Sequence, residues 1–198
     1  MNPLSQIGIL TVQTLGDLYL LIVLLRFLLQ VARADFYNPL SQFIVKATNP
    51  LLLPLRRVIP GLFGIDIAGI VLGLCVQFVI FFLVLLFSGH VANPLLLLIA
   101  SALNLVAMAI QIYFFCLIVM IITSFVAPYT RHPFVMLSIQ LLRPVSAPFQ
   151  KILPPMGGFD LSPILIILAM KIVRILVMTA AQATGTAPLI NDVLGGFL

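Results

Sequence analysis

The stretch NPLLLPLRRVIPGLFGID at residues 49–66 sets three prolines, two adjacent arginines and an aspartate into a chain that is otherwise strongly apolar. The stretch RPVSAPFQKILPPMGGFD at residues 143–160 repeats that punctuation, each residue 94 positions after its counterpart. At this offset, without gaps, Pro39, Pro50, Pro54 and Pro60 meet Pro133, Pro144, Pro148 and Pro154, while Gly64 and Asp66 meet Gly158 and Asp160. Apolar residues coincide by chance in such a chain, but four prolines in register do not. The chain is therefore read as an internal duplication, with a first repeat at residues 1–93 and a second at 94–198, each a helix, a structured loop and a second helix.

Composition says which solvent surrounds those helices. Of 198 residues, 63% are hydrophobic and 8% charged, with mean hydropathy +1.27. A soluble domain carries about 25% charged residues, so this chain cannot clothe a water-facing surface. Runs at residues 7–31, 67–87, 94–126 and 162–181 are long and apolar enough to span a bilayer core of about 30 Å. The third exceeds one span and must tilt, extend beyond the membrane or break near Asn104. The expected fold is all-α: a polytopic membrane protein of about four spans in two parallel helix–amphipathic loop–helix repeats, related by a pseudo-twofold along the membrane normal.

The net charge of +5 does not point to nucleic acid, because the basic residues form no basic domain. They sort by side instead. Arg33, Lys46, Arg56 and Arg57 lie between the first two spans, and Arg131, Arg143 and Lys151 between the last two. The opposite connections hold no Lys or Arg. This asymmetry predicts cytoplasmic basic loops and both termini outside, periplasmic where the cell has a periplasm. No Lys or Arg precedes Arg26, which argues against a cleaved signal peptide. Cys75 and Cys116 sit in apolar runs without zinc or disulfide spacing and read as small buried hydrophobes.

Each loop has a local reading. Asn38 before Pro39 forms an N-cap and first-turn pair. Leu40, Phe43, Ile44 and Ala47 then share one face, with Ser41, Gln42, Lys46 and Thr48 largely on the other, as in a short interfacial helix. Pro50 is expected to restart the chain, with a further turn over residues 51–58 that Pro60 ends. Arg56, Arg57 and Lys151 are candidate contacts to anions or anionic lipids. Asp66, Asp160 and Ser162 are candidate caps for the second and fourth spans, where a carboxylate also complements the helix dipole.

These residues resemble the paired signature of the YggT (also YlmG) family of small bacterial and plastid membrane proteins: N-P, then P-x-x-x-P-x-R-R-x-I-P, then G-x-D-x-S-P. Here Ala68-Gly69 replaces Ser-Pro, Gln150-Lys151 replaces Arg-Arg, and His132 stands where asparagine is usual. The resemblance implies a membrane protein linked with tolerance of osmotic stress and ion balance. It also implies an alternative, a scaffold or assembly factor tied to cell division or to biogenesis of membrane complexes.

Polar residues within the spans suggest a seam. Lys171 and Arg174 share a face of the last span, and Lys171 occupies the position of Gln77 in the first repeat. Arg26, Gln30 and Arg33 are spaced along the first span, and Asn104 and Gln111 along the third. The seam reads either as a hydrated pathway or as interhelical hydrogen bonding that holds the repeats together. His90 and His132 fall on opposite sides of the membrane, and there is no P-loop, G-x-S-x-G or carboxylate pair. The expectation is therefore a non-enzyme without cofactor or metal, whose partners are the lipid bilayer, anionic lipids among it, and a membrane protein or a second copy of itself.

Overall fold

The computed structural model describes residues 2–61, 66–91, 93–127, 129–152 and 160–194. Among these residues seven helices follow one another: α1 (Pro3–Val31), α2 (Pro39–Val58), α3 (Ile67–Phe87), α4 (Pro94–Val126), α5 (Pro133–Ile152), α6 (Ser162–Ala183) and α7 (Ala187–Leu194). Helices α1, α3, α4 and α6 are long and apolar enough to cross a membrane, and the chain is an all-α, multi-pass membrane protein. α4 runs unbroken through Asn104. Its 33 residues extend about 50 Å, so it tilts or projects beyond the hydrocarbon.

An Asn-Pro pair opens three of the helices. Proline's missing N–H costs nothing in a first turn, and the asparagine oxygen accepts the free N–H two residues on: Asn38 from Leu40 at 2.9 Å and Asn93 from Leu95 at 3.0 Å. Asn2 precedes Pro3 in α1 without that bond. A fourth pair, Asn49-Pro50, opens nothing. α2 continues through Pro50 and Pro54 as one 20-residue helix, and α5 does the same through Pro144 and Pro148. All four prolines are exposed, so the carbonyls that lose an N–H partner face outward, where headgroups and water satisfy them.

The amphipathic face of α2 also differs from the sequence expectation. Ser41, Ile44, Thr48 and Leu52 are buried, whereas Phe43 is exposed, as are Leu51 and Leu53. Lipid tolerates exposed leucine and phenylalanine, so the face that turns inward is the one whose hydroxyls find partners. Ser41 donates to the Asp35 carbonyl and Thr48 to that of Ile44.

Within each repeat the packing corresponds: α1 with α2 and α3, and α4 with α5 and α6. Between repeats, α2 meets α5 and α1 meets α4, as a twofold requires. The twofold is broken where α3 packs against α4 while, among the described residues, α6 and α1 form no comparable contact. α7, which the sequence reading left as a tail, folds back on α4 through Ile190 and Ala107. The largest core cluster joins Leu20, Leu24 and Leu28 of α1 to Ile44 of α2, Leu105 and Ile112 of α4, and Leu137 and Leu141 of α5. Small residues sit at the helix contacts, Ala68, Ala100, Ala107 and Ala181 all fully buried, because close approach rather than expulsion of water holds helices together in lipid. Cys116 is buried as expected, but Cys75 lies on an exposed face of α3.

Candidate functional site

The polar side chains of the first repeat gather where α1 ends, α2 lies across it and α3 begins. Arg26, five residues before the end of α1, is 8% exposed. Its Nη1 donates to the Val45 carbonyl at 3.0 Å and to Thr48 Oγ1 at 3.1 Å, tying α2 to α1. Arg56, at the last turn of α2, donates through Nε to Asp66 Oδ1 at 3.3 Å and through Nη2 to Asp66 Oδ2 and to Gln30 Oε1 at 3.1 Å. Asp66 is buried and Arg56 is about a third exposed. This two-point arginine–carboxylate pair clips the end of α2 to the start of α3.

Asp66 is consequently not the side-chain cap that its position suggested. Its carboxylate is committed to Arg56 and makes no capping bond; only its backbone carbonyl receives the N–H groups of Gly69 and Ile70. In the second repeat the division of labour changes. Asp160 Oδ1 accepts the Ser162 N–H at 2.8 Å and Oδ2 accepts Gln150 Nε2 at 3.2 Å. Asp160 therefore caps α6 and also holds the end of α5, while Ser162 is the first residue of α6 and Asp160's partner rather than the cap itself. Gln150 is the counterpart of Arg56, so the same tie recurs 94 residues on with its cation replaced by an amide. Burial raises the Asp160 pKa, but hydrogen bonds from the Ser162 side chain and N–H and from Gln150 outweigh it, and the carboxyl is held below the ordinary aspartate range.

Two bonds stitch the repeats together at this end. Asn38, besides its capping bond, donates Nδ2 to the Pro133 carbonyl at 2.8 Å, and the Asp35 N–H reaches Gln140 Oε1 at 2.9 Å. His132, where the signature has asparagine, accepts the Phe134 N–H at Nδ1, 3.3 Å, and so keeps the capping geometry. Arg57 and Lys151 are exposed, open to anions or headgroups.

The four seam residues do not come together. Arg26 faces α2, Lys171 is exposed on α6, and Arg174 is half-buried with an interaction of its own. Arg33 lies past the end of α1 in the left-handed region, φ 50°, and so leaves the face of Arg26 and Gln30. The fourth seam residue, Gln77, is buried in α3, and Asn104 is buried in α4. Gln77 and Asn104 are fully buried, and the nitrogen and oxygen of both side chains have no hydrogen-bond partner among the described residues. A Cβ placed on Gly73 would touch Leu105 at 3.4 Å, and Phe81 clusters with Leu97 and Ala100. That antiparallel register sets Gln77 opposite Ser101 and within a turn of Asn104. The sequence pattern puts Ser41 and Thr48 on the face opposite Ile44 and marks Gln77 and Asn104 only as polar residues within spans; that Ser41 and Thr48 turn inward with Ile44, and that both amides are buried, is decided by packing.

A CCB3/YggT family profile matches residues 5–87 and again residues 99–181. The chain belongs to the CCB3/YggT family. The two matches begin and end 94 residues apart, the offset at which the prolines coincide, and α7 lies outside both. An uncharacterized protein of Pseudomonas aeruginosa, PA0392, is 48% identical over 190 residues, covering 95% of this chain and 96% of that protein. The YggT protein of Escherichia coli K12 is 38% identical over 172 residues, covering 87% and 89%. A protein of Vibrio alginolyticus described by its place in the proC 3' region is 39% identical over 167 residues, covering 83% and 90%. No solved structure matches. The Arg56–Asp66 clip and its Gln150–Asp160 counterpart each fall inside one of the two YggT matches.

Proposed function

We propose that this YggT-family protein supports ion balance and resistance to osmotic stress in the bacterial inner membrane, as a non-catalytic protein with a polar centre between its repeats. The observation that carries the reading is the burial of Gln77 and Asn104, whose four amide atoms have no hydrogen-bond partner among the described residues, inside two helices long and apolar enough to cross a membrane. An unsatisfied buried polar group costs about 1–3 kcal/mol, and polar groups within spans are functional by default. Water or an ion entering between α3 and α4 would satisfy both amides, and a centre that responds to hydration is suited to sensing or passing small solutes.

The test is the double substitution Gln77→Leu with Asn104→Leu. Removing both amides takes away the penalty, so abundance and thermal stability hold or rise, while growth after a sudden osmotic shift falls. A variant as abundant and as shift-resistant as the parent would sink the proposal. The alternative, a membrane scaffold or assembly factor, is favoured by one observation: Lys171 is exposed midway along α6 on a face shared with exposed Ile164, Leu168 and Ile175. A cation so placed is stabilised by a partner that covers it or by snorkelling to the interface. Cross-links from a cysteine at Leu168 to a second membrane protein, with the Gln77/Asn104 variant unaffected, would move the conclusion to the scaffold.

A further inference from the structure

Between α1 and α2 in the first repeat lies an open cleft of about 610 Å³ lined by Arg26, Gln30, Gln42, Lys46, Asn49 and Arg56. We infer that this cleft is a binding site for a phosphate group, carried by an anionic lipid headgroup or by a free phosphate. Its volume is in the range of small-molecule sites, about 300–1,000 Å³.

Charge is the first argument. The lining contains three cations and no carboxylate. Asp66 lies behind it and is spent on Arg56, and Arg26 is within electrostatic reach of both. Three cations against one carboxylate leave a surplus of two positive charges. Arg26 is nine-tenths buried and, among the described residues, uses only Nη1 for hydrogen bonds, to Val45 and Thr48. The rest of its fork of five N–H donors is left for an acceptor. An anion in the cleft would relieve the repulsion between Arg26 and Arg56 and draw on the amides of Gln30, Gln42 and Asn49. Arginine forks and amide donors are the groups that recognise phosphate oxygens.

The duplication supplies an internal control. At the 94-residue offset Arg26, Lys46 and Arg56 correspond to Met120, Gln140 and Gln150. The second repeat nevertheless builds the same helices, packs α5 on α4 and α6, and ties Gln150 to Asp160. Holding an amphipathic helix against its spans therefore does not require these charges. Setting the topology does not require them either, since exposed Arg57, Arg131, Arg143 and Lys151 stand at the same end. The cations of the first cleft answer to something the second half does not bind. The location fits a headgroup, because Arg26 lies about 7 Å from the end of its span.

The experiment uses the full-length protein, purified and reconstituted in phosphatidylcholine nanodiscs with or without phosphatidylglycerol, with lipid retention read by native mass spectrometry. Inorganic phosphate is added in a separate arm. Preferential retention of phosphatidylglycerol assigns the site to a lipid; competition by inorganic phosphate without that preference assigns it to a free anion; both support the inference. Lys46 is exposed, so Lys46→Gln leaves the fold intact and should weaken binding about five-fold, the equivalent of about 1 kcal/mol. The triple substitution Arg26→Met, Lys46→Gln, Arg56→Gln, which copies the second repeat, should abolish it. Arg57→Gln, outside the cleft, should change binding less than two-fold. Binding of neither probe, or equal losses from Arg57→Gln and Lys46→Gln, would overturn the inference.

Discussion

Asparagine in place of aspartate separates the two repeats. Asp66 and Asp160 are equivalent in sequence, but one closes a buried ion pair and the other caps a helix. In Asp66→Asn the acceptor of two Arg56 donors loses its charge and one acceptor oxygen, and Arg56 is left beside Arg26 with no carboxylate. A hydrogen bond to a charged group is worth about 1.5–3 kcal/mol. Because Arg56 is 35% exposed, water screens the stranded cation, and the expected loss is about 1–2 kcal/mol. In Asp160→Asn the amide oxygen still accepts the Ser162 N–H, and caps of these two types exchange within a few tenths of a kcal/mol. Thermal unfolding in one detergent at pH 7, followed by helical circular dichroism, should show a clear loss at residue 66 and a smaller one at 160, where the cap is kept and only the part that depends on the charge is lost. The acid limb tests Asp160 directly. The depressed Asp160 pKa means that the folded state binds fewer protons than the unfolded chain near the ordinary value of 3.8. Its contribution is complete above that value and fades as pH falls through the lower folded one, so Asp160→Asn should flatten the acid limb. Equal losses for the two variants at pH 7 would refute the division of labour.

Three further outcomes follow from the geometry. An added Cβ at Gly16 would lie 2.6 Å from Ile80, which is buried and stiff, whereas at Gly8 it would lie 3.3 Å from the Phe87 ring, which is exposed. Helix propensity cancels in that comparison, so Gly16→Ala should be less stable than Gly8→Ala by about 1–3 kcal/mol, as measured by unfolding in detergent. Arg33 holds the left-handed position that closes α1, with the Ala34 N–H bonded to the Leu29 carbonyl; Arg33→Gly should raise stability by about 1 kcal/mol, and a lower unfolding temperature would contradict the strain. The one-sided basic residues predict that a periplasm-active reporter works at the C-terminus and is silent when inserted near Gly61; the reverse pattern would invert the orientation.

Chain order alone carried the duplication and the four spans. Each rests on covalent or solvent constraints that act locally: proline has no N–H wherever it stands, and 20 apolar residues need lipid whatever surrounds them. The Asn38 cap was legible for the same reason, since its partner is two residues away. What Asp66 does was not legible, because its local environment is nearly that of Asp160 and only the arrival of Arg56 from the end of α2 turns a cap into an ion pair. The same holds for α2. Its prolines read as breaks, yet once they face outward and Ser41, Ile44, Thr48 and Leu52 face the bundle, tertiary packing outweighs the lost backbone bonds and the helix runs through. Gln77 and Asn104 are 27 residues apart in the chain, and Arg26 and Lys46 lie on different helices. Neither the buried amides nor the cationic cleft exists until helices that lipid alone would leave indifferent to one another are brought into contact, and side-chain packing decides which faces meet.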